Sequence, residues 1–394
     1  MALAEVIRAA TATPTGNPST GTPPTGTTPT GNPSTGTPGT AGTWRPAPPG
    51  ASGGPGTYAT TIAFLLARHA ELSPQHAGEM PQRPAAQLRH ANPPQHAPDP
   101  QDLAGRLAVS LRALPEISQA TVTGGGYLTI TVTAGTLSAL AVRIAEAGPS
   151  CARGGALRGA ALEALRGVDL TTARSWDEAY QWLASEVTGR LAAAAGAQVQ
   201  WTDPTQRTRA PDSRPTANSG PVSDSINFAG ADAIRYALCR LRWRPGGLAV
   251  DARAAAAQHL GNPAYAVRYA HAHAASALRQ AADLGMDKGS AADAEVRLLA
   301  HPRERALLDA MSWLPERVGG AARRGRPDVL TGYLEELAAA YFGCQESCPA
   351  VPPGLLDEPP GSPVTRARLW LAAAAGAALG AGLGLLGVAA PDRL

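Results

Sequence analysis

The chain has 394 residues, long enough for two to three domains and a sizeable core. It holds 43 glycines and 36 prolines, about a fifth of the chain, well above the ordinary share, so part of it is linker. A hydrophobic share of 44% excludes a wholly disordered chain or a small disulfide scaffold, and a formal charge of +3 excludes a dominant basic or acidic tail. Any nucleic-acid partner is therefore held by local arginine patches. Lysine occurs once, as Lys288, so chemistry that needs a catalytic lysine has one candidate. The opening Met1–Ala12 reads as a short helix without the basic start and apolar run of a secretory signal. Residues 13–55 are a Thr/Pro/Gly tract in which Pro14–Pro23 recurs as Pro29–Pro38. With no apolar positions to stack, this tract reads as a disordered insert.

Residues 56–148 read as a small α+β domain. A helix is expected from Gly56, with Ile62, Leu65, Leu66 and Leu72 on its apolar face. A proline-rich gap, Pro74–Pro100, separates it from a second amphipathic helix, Asp102–Leu114, carrying Leu103, Leu107 and Leu111. Strands at Ala120–Val122 and Tyr127–Val132 flank the turn Gly124–Gly126, and a third helix covers Leu137–Ala147. Residues 149–225 read as a linker or remnant, with a helix at Trp176–Ala195, a strand at Gln198–Trp201 and a polar loop over Asp203–Ser225.

Residues 226–394 read as an all-α bundle. Its expected helices are Phe228–Trp243, Val250–Leu260, Pro263–Leu284, Ala292–Leu299, Glu304–Leu314, Asp328–Phe342 and Pro363–Leu386. Asn262-Pro263 and Ser362-Pro363 are start signals, each a cap followed by proline at the first helical position. The uncharged run Leu369–Ala390 is long enough to span a bilayer, but 9 of its residues are alanine and 5 glycine, so a buried helix is the preferred reading over a membrane anchor. Gly376, Gly380 and Gly384 are spaced for helix packing.

Cys151, Cys239, Cys344 and Cys348 form no paired CxxC set, so no zinc site is expected, and thiols in a reducing cytoplasm are the default. His271 and His273 are two residues apart and do not share a helix face, which argues against a metal. Tyr265, Arg268, Tyr269, Ser276 and Arg279 fall near one side of their helix. Tyrosines and arginines together can stack on and clamp unpaired RNA bases, or simply anchor the helix in the bundle. Arg235, Arg240, Arg242 and Arg244 follow one helix into a loop, and Arg317, Arg323, Arg324 and Arg326 gather around a Gly-rich turn. Either group could contact phosphates or be ordinary solvated arginine. No GxSxG elbow, P-loop or Rossmann fingerprint occurs.

Four ordered segments of the helical half resemble the DALR anticodon-binding domain of arginyl-tRNA synthetases. They are Gly230–Tyr236 (GADAIRY), Asn262–His273 (NPAYAVRYAHAH), Tyr333–Ala338 (YLEELA) and the ending Leu386–Leu394. Gly56–Thr61 and Gly124–Ile130 are similar to segments of that family's N-terminal tRNA-elbow domain, with Thr57, Thr61 and Gly125 departing from its pattern. Leu183–Trp201 faintly resembles a stub of the family's catalytic domain. The sequence has no His-x-Gly-His signature, and where a Lys-Met-Ser-Lys-Ser loop would precede the DALR motif it reads Arg207–Arg214 (RTRAPDSR). The resemblance implies a non-catalytic relative that binds tRNA, arginine tRNA first, with no cofactor and a cytoplasmic location. It nominates Asn262, Tyr265, Arg268, Tyr269, His271 and Arg279, with Arg235, Arg240 and Arg242, as RNA contacts. The rival readings are an arginine-tRNA ligase or accessory subunit that works with a separate synthetase chain, and a protein-interaction scaffold without RNA binding.

Overall fold

The structure, a computed structural model, describes residues 46–47, 54–60, 99–203, 222–243, 247–351 and 361–394. The expected Met1–Ala12 helix, nearly all of the Thr/Pro/Gly tract, the 61–72 part of the first expected helix, nearly all of the proline-rich gap and most of the 203–225 loop lie outside these residues. So does Arg244. The chain divides into two compact units, Met1–Thr133 and Ala134–Leu394.

The first unit is a helix on an antiparallel sheet. Its strands are β1 (Pro46–Ala47), β2 (Thr57–Thr60), β3 (Ile117–Thr123) and β4 (Tyr127–Val132), in the order β1-β2-β4-β3. Thr57–Thr60 is thus a strand and not the opening of a helix. Threonine and tyrosine suit a pleated surface, and β4 has an edge to pair, with Tyr58 opposite Ile130. Helix α1 (Pro100–Arg112) starts where Asp99 accepts the amide of Gln101 at 3.0 Å. It buries Ala104, Ala108 and Leu111, and the last two meet Ile117, Ala120, Leu128 and Ile130 in the core. Gly126, in the turn between β3 and β4, has φ of +97°, and a Cβ there would lie 3.2 Å from the Pro100 carbonyl, so glycine lets the hairpin approach the helix start.

The second unit opens with α2 (Ala134–Ala147), which the sequence reading gave to the front domain. Its apolar face, Leu137 and Ala141, packs on the C-terminal helix instead. A β-α-β module follows: β5 (Ala161–Leu165), α3 (Trp176–Ala194) and β6 (Gln198–Thr202), with β5 and β6 parallel. The α3 cap is Ser175, which accepts the amide of Glu178 at 3.1 Å. A Cβ at Gly189 of α3 would stand 2.5 Å from the Ala164 Cβ and 2.8 Å from the Trp201 ring. Alanine is the better helix former by about 1 kcal/mol, while forcing a methyl into a filled contact costs about 1–3 kcal/mol. Gly189→Ala is therefore expected to lower stability by about 1 kcal/mol net, read as a fall in the urea midpoint at unchanged m.

The rest of the unit is helical: α4 (Val222–Ala229), α5 (Ala231–Arg240), α6 (Ala252–Ala256), α7 (Pro263–Asp283), α8 (Pro302–Ser312), α9 (Leu314–Arg324), α10 (Asp328–Ser347) and α11 (Pro363–Leu386). The expected Phe228–Trp243 helix is split by Gly230 at φ of +85° and ends at Arg240. The Val250–Leu260 helix shrinks to α6, because the Asn262 amide takes the Ala255 and Ala257 carbonyls at 2.9 and 2.7 Å. Ala292–Leu299 yields only a short 3-10 turn, Val296–Leu298, after Ser290 and Asp293 close a turn on each other at 2.6 Å. The Gly-rich turn around Gly319-Gly320 is instead the interior of α9, which carries Pro315 in its first turn and packs a glycine face inward.

Helix α11 lies in the middle of this unit, against α2, α7, α8, α10 and α3. It is long and apolar enough to cross a membrane, but 67% of its most apolar stretch is buried, as in the core helix of a bundle. Gly376 and Gly380 face Ala274 and His271 of α7, whereas Gly384 faces open space. Gly387 closes the helix in the left-handed region, and the Val388 amide donates to the Leu383 carbonyl at 3.0 Å, a Schellman ending.

Candidate nucleic-acid interface

Helix α7 sets the geometry of the candidate face. Asn262 is buried, and its side-chain oxygen accepts the Ala264 amide at 3.2 Å while its nitrogen serves the two α6 carbonyls. It is a cap with its hydrogen-bonding capacity committed. Tyr265, Tyr269 and His273 follow at four-residue spacing, one above another on the helix surface. The Tyr265 and Tyr269 rings stack at 5.7 Å with 10° between planes. Tyr269 stacks in turn on Phe342 of α10 at 5.9 Å, and His273 meets Tyr269 edge-on at 6.1 Å. Tyr341 lies buried behind them, its hydroxyl 2.9 Å from Nδ1 of His273. The outer members, Tyr265, Tyr269 and Phe342, are half-buried. The result is a continuous aromatic ladder, locked from behind and open in front. Stacked π-faces at the surface accept further flat rings, which is how unpaired bases are held.

Burial pushes the His273 imidazole below its ordinary value of 6.5. Unfolding therefore takes up a proton as the pH falls through that value, and stability present above it is lost below it. Between about pH 7.5 and about pH 5.5 the urea midpoint of the wild type is expected to fall more steeply than that of His273→Gln, and parallel curves would contradict this.

The nominated arginines are already engaged. Arg235 donates to the buried carboxylate Glu186, which also takes Arg190 at 3.0 Å and the Gly167 amide at 3.1 Å. Arg240 forms two bonds to Glu335, at 2.7 and 3.3 Å. Arg242 and Arg326 share Asp328, at 3.3 and 2.5 Å. Arg268 pairs with Asp232 at 3.7 Å across α5 and α7. Arg279 donates to the Asp392 carbonyl at 2.9 Å, and Nδ1 of His271 lies 3.1 Å from the Pro391 carbonyl. These last two hold the C-terminal tail against α7, and His271 and His273 serve separate partners.

The structure thus brings Tyr265 and Tyr269 to an open face and puts the other nominated residues to work inside the unit or along its surface. Sequence reasoning missed Phe342, His273 and Tyr341 as parts of the ladder. The available signal was the Tyr341-Phe342 pair at the end of an expected helix. The four thiols are free, and burial pushes Cys239 and Cys344 up to about 12, far from nucleophilic use.

Comparison with known proteins fits this geometry. Residues 267–394 match the family model described as the DALR anticodon binding domain. The chain is 42% identical over 173 residues to an arginine–tRNA ligase of Frankia alni, covering 44% of this chain and 30% of the relative. It is 37% identical over 175 residues to an arginine–tRNA ligase of Micrococcus luteus, covering 44% and 31%. The chain thus spans about a third of the length of these curated relatives. In fold it is similar to an arginyl-tRNA synthetase of Thermus thermophilus, with a TM-score of 0.58 at 13% identity, covering 90% of this chain and 97% of that one. The chain is thus similar to arginyl-tRNA synthetases over part of their length, and its residues 267–394 match a DALR anticodon binding domain.

Proposed function

We propose that this chain binds tRNA through its DALR bundle, arginine tRNA first, in the cytoplasm, and that it does not itself attach the amino acid. The observation that carries the binding reading is the half-buried ladder Tyr265–Tyr269–Phe342, of which Tyr269 and Phe342 lie within the residues that match the anticodon binding domain. Its rings offer stacking to unpaired bases of a loop.

Two observations support the non-catalytic half of the reading. Adenylate formation needs cationic groups aimed at a triphosphate, and a crevice at the ends of parallel strands. The described part of residues 149–225 holds a parallel pair, β5 and β6, with one helix between them. The single lysine, Lys288, has its ammonium 3.5 Å from the centre of the Trp370 ring, engaged in a cation–π contact.

The test is a charging assay with the full chain, ATP, arginine and tRNA, run alone and mixed with a separately purified arginyl-tRNA synthetase. The proposal expects no aminoacyl-tRNA from the chain alone and retention of tRNA by it. Charging by the chain alone would overturn it. Charging that the chain adds to only in the mixture would favour the accessory-subunit reading.

A further inference from the structure

The arginines nominated around α5 and α7 are neutralised by carboxylates or spent on carbonyls. Among the other arginines of the same unit that form no ion pair, Arg153, Arg158 and Arg324 lie around one junction. The loop Arg153–Arg158 (RGGALR) leads toward β5 and lies against α9. Arg323, in the last turn of α9, donates to the Ala156 carbonyl at 3.3 Å. A Cβ at Gly319 of α9 would stand 2.7 Å from the Ala156 Cβ, and one at Gly154 would touch Pro315 at 3.5 Å. Arg158 folds back so that its guanidinium lies over Gly155. Glycine at 319 therefore lets the loop lie close on the helix, and Arg323 holds the loop in place.

This leaves Arg153, Arg158 and Arg324 exposed around the junction, without an ion pair among the described residues. No aspartate or glutamate occurs from Ala147 to Leu162 or from Arg317 to Pro327. Glu146 and Glu163 flank the first segment and Glu316 and Asp328 the second; Asp328 is already paired with Arg242 and Arg326, and Glu336 with Arg317. None of the large exposed apolar side chains lies in either segment, so the patch lacks the apolar centre of a protein interface.

We infer that the Arg153–Arg158 loop and the end of α9 form a second RNA contact, one that grips the phosphodiester backbone of a folded RNA and is distinct from the aromatic face. This rests on the proposed tRNA binding. The patch adds affinity and orientation without reading sequence, as phosphate contacts do. The fork of each arginine takes two phosphate oxygens.

The test measures tRNA binding by the full chain over a series of salt concentrations, for the wild type and for the triple variant Arg153→Gln, Arg158→Gln, Arg324→Gln. All three side chains are exposed, so the fold is retained and a thermal melt checks this. Losing three phosphate contacts makes the slope of log K against log salt shallower by about two to three, and weakens binding about tenfold or more at low salt, equally for all tRNAs. A double variant Tyr265→Ala, Tyr269→Ala loses affinity with its salt slope kept. Unchanged slope and affinity in the triple variant, with tRNA still bound by the wild type, overturns this inference alone. A wild type that binds no tRNA at low salt overturns the functional reading beneath it. Loss of polyglutamate binding in the triple variant, with tRNA binding kept, assigns the patch to an acidic protein and overturns it also.

Discussion

Glu186→Ala is expected to lower the free energy of unfolding by about 3–5 kcal/mol, the largest stability effect of any substitution considered. Glu186 is 1% exposed, and three donors converge on it: Arg235, Arg190 and the Gly167 amide. Removing the carboxylate leaves the Arg235 guanidinium, 13% exposed, with only a 3.5 Å contact to the Val168 carbonyl. A buried charge without its partner costs far more than the pair contributes by forming. The cluster also joins α3 of the β-α-β module to α5 of the bundle, and the left-handed Gly387 that closes α11 abuts both guanidinium groups. Glu186→Gln keeps the shape but loses the charge, and is expected to fall between wild type and alanine. Urea denaturation gives the answer: a change under about 1 kcal/mol would mean the cluster is not the joint described.

Tyr265→Ala together with Tyr269→Ala is expected to weaken tRNA binding by about 10- to 100-fold, since each base stacked on an aromatic ring is worth about 1–3 kcal/mol. Both rings are half-buried, so the bundle loses some packing yet keeps its core of Val267, Ala270 and Ala274. Tyr265→Phe with Tyr269→Phe keeps the ring faces and is expected to keep most of the affinity. Equal binding by the alanine and phenylalanine pairs, each with a wild-type melt, would remove the ladder from the interface.

The parts of this molecule that were legible in sequence are those written locally. Asn262-Pro263 and Ser362-Pro363 cap α7 and α11, and both helices begin at those prolines. Tyr265 and Tyr269 could be placed on one face because helix spacing alone decides it. Other parts depend on distant residues. Ala161–Leu165 reads Ala-Leu-Glu-Ala-Leu, a helix former's composition, and becomes β5 by pairing with Gln198–Thr202. Leu314–Arg324 is masked in sequence by Gly319-Gly320, of which the close approach of Ala156 requires the first. The arginines looked free because their acids lie far off in sequence, as Glu186 does from Arg235, Glu335 from Arg240 and Asp328 from Arg242. Charge in a linear sequence says where a cation is, not whether the fold has already neutralised it. The same point exposes the Arg153–Arg158 loop, whose arginines form no ion pair among the described residues.

The central claim is that this chain holds tRNA by an anticodon-type face without charging it. The most direct measurement is filter binding of the full chain to arginine tRNA and to an unrelated tRNA, at low and at physiological salt, with each complex also incubated with ATP and arginine. Saturable binding that favours arginine tRNA and weakens with salt, with no aminoacyl-tRNA formed, is the predicted result. No binding at low salt, or ATP-dependent charging by the chain alone, would contradict it.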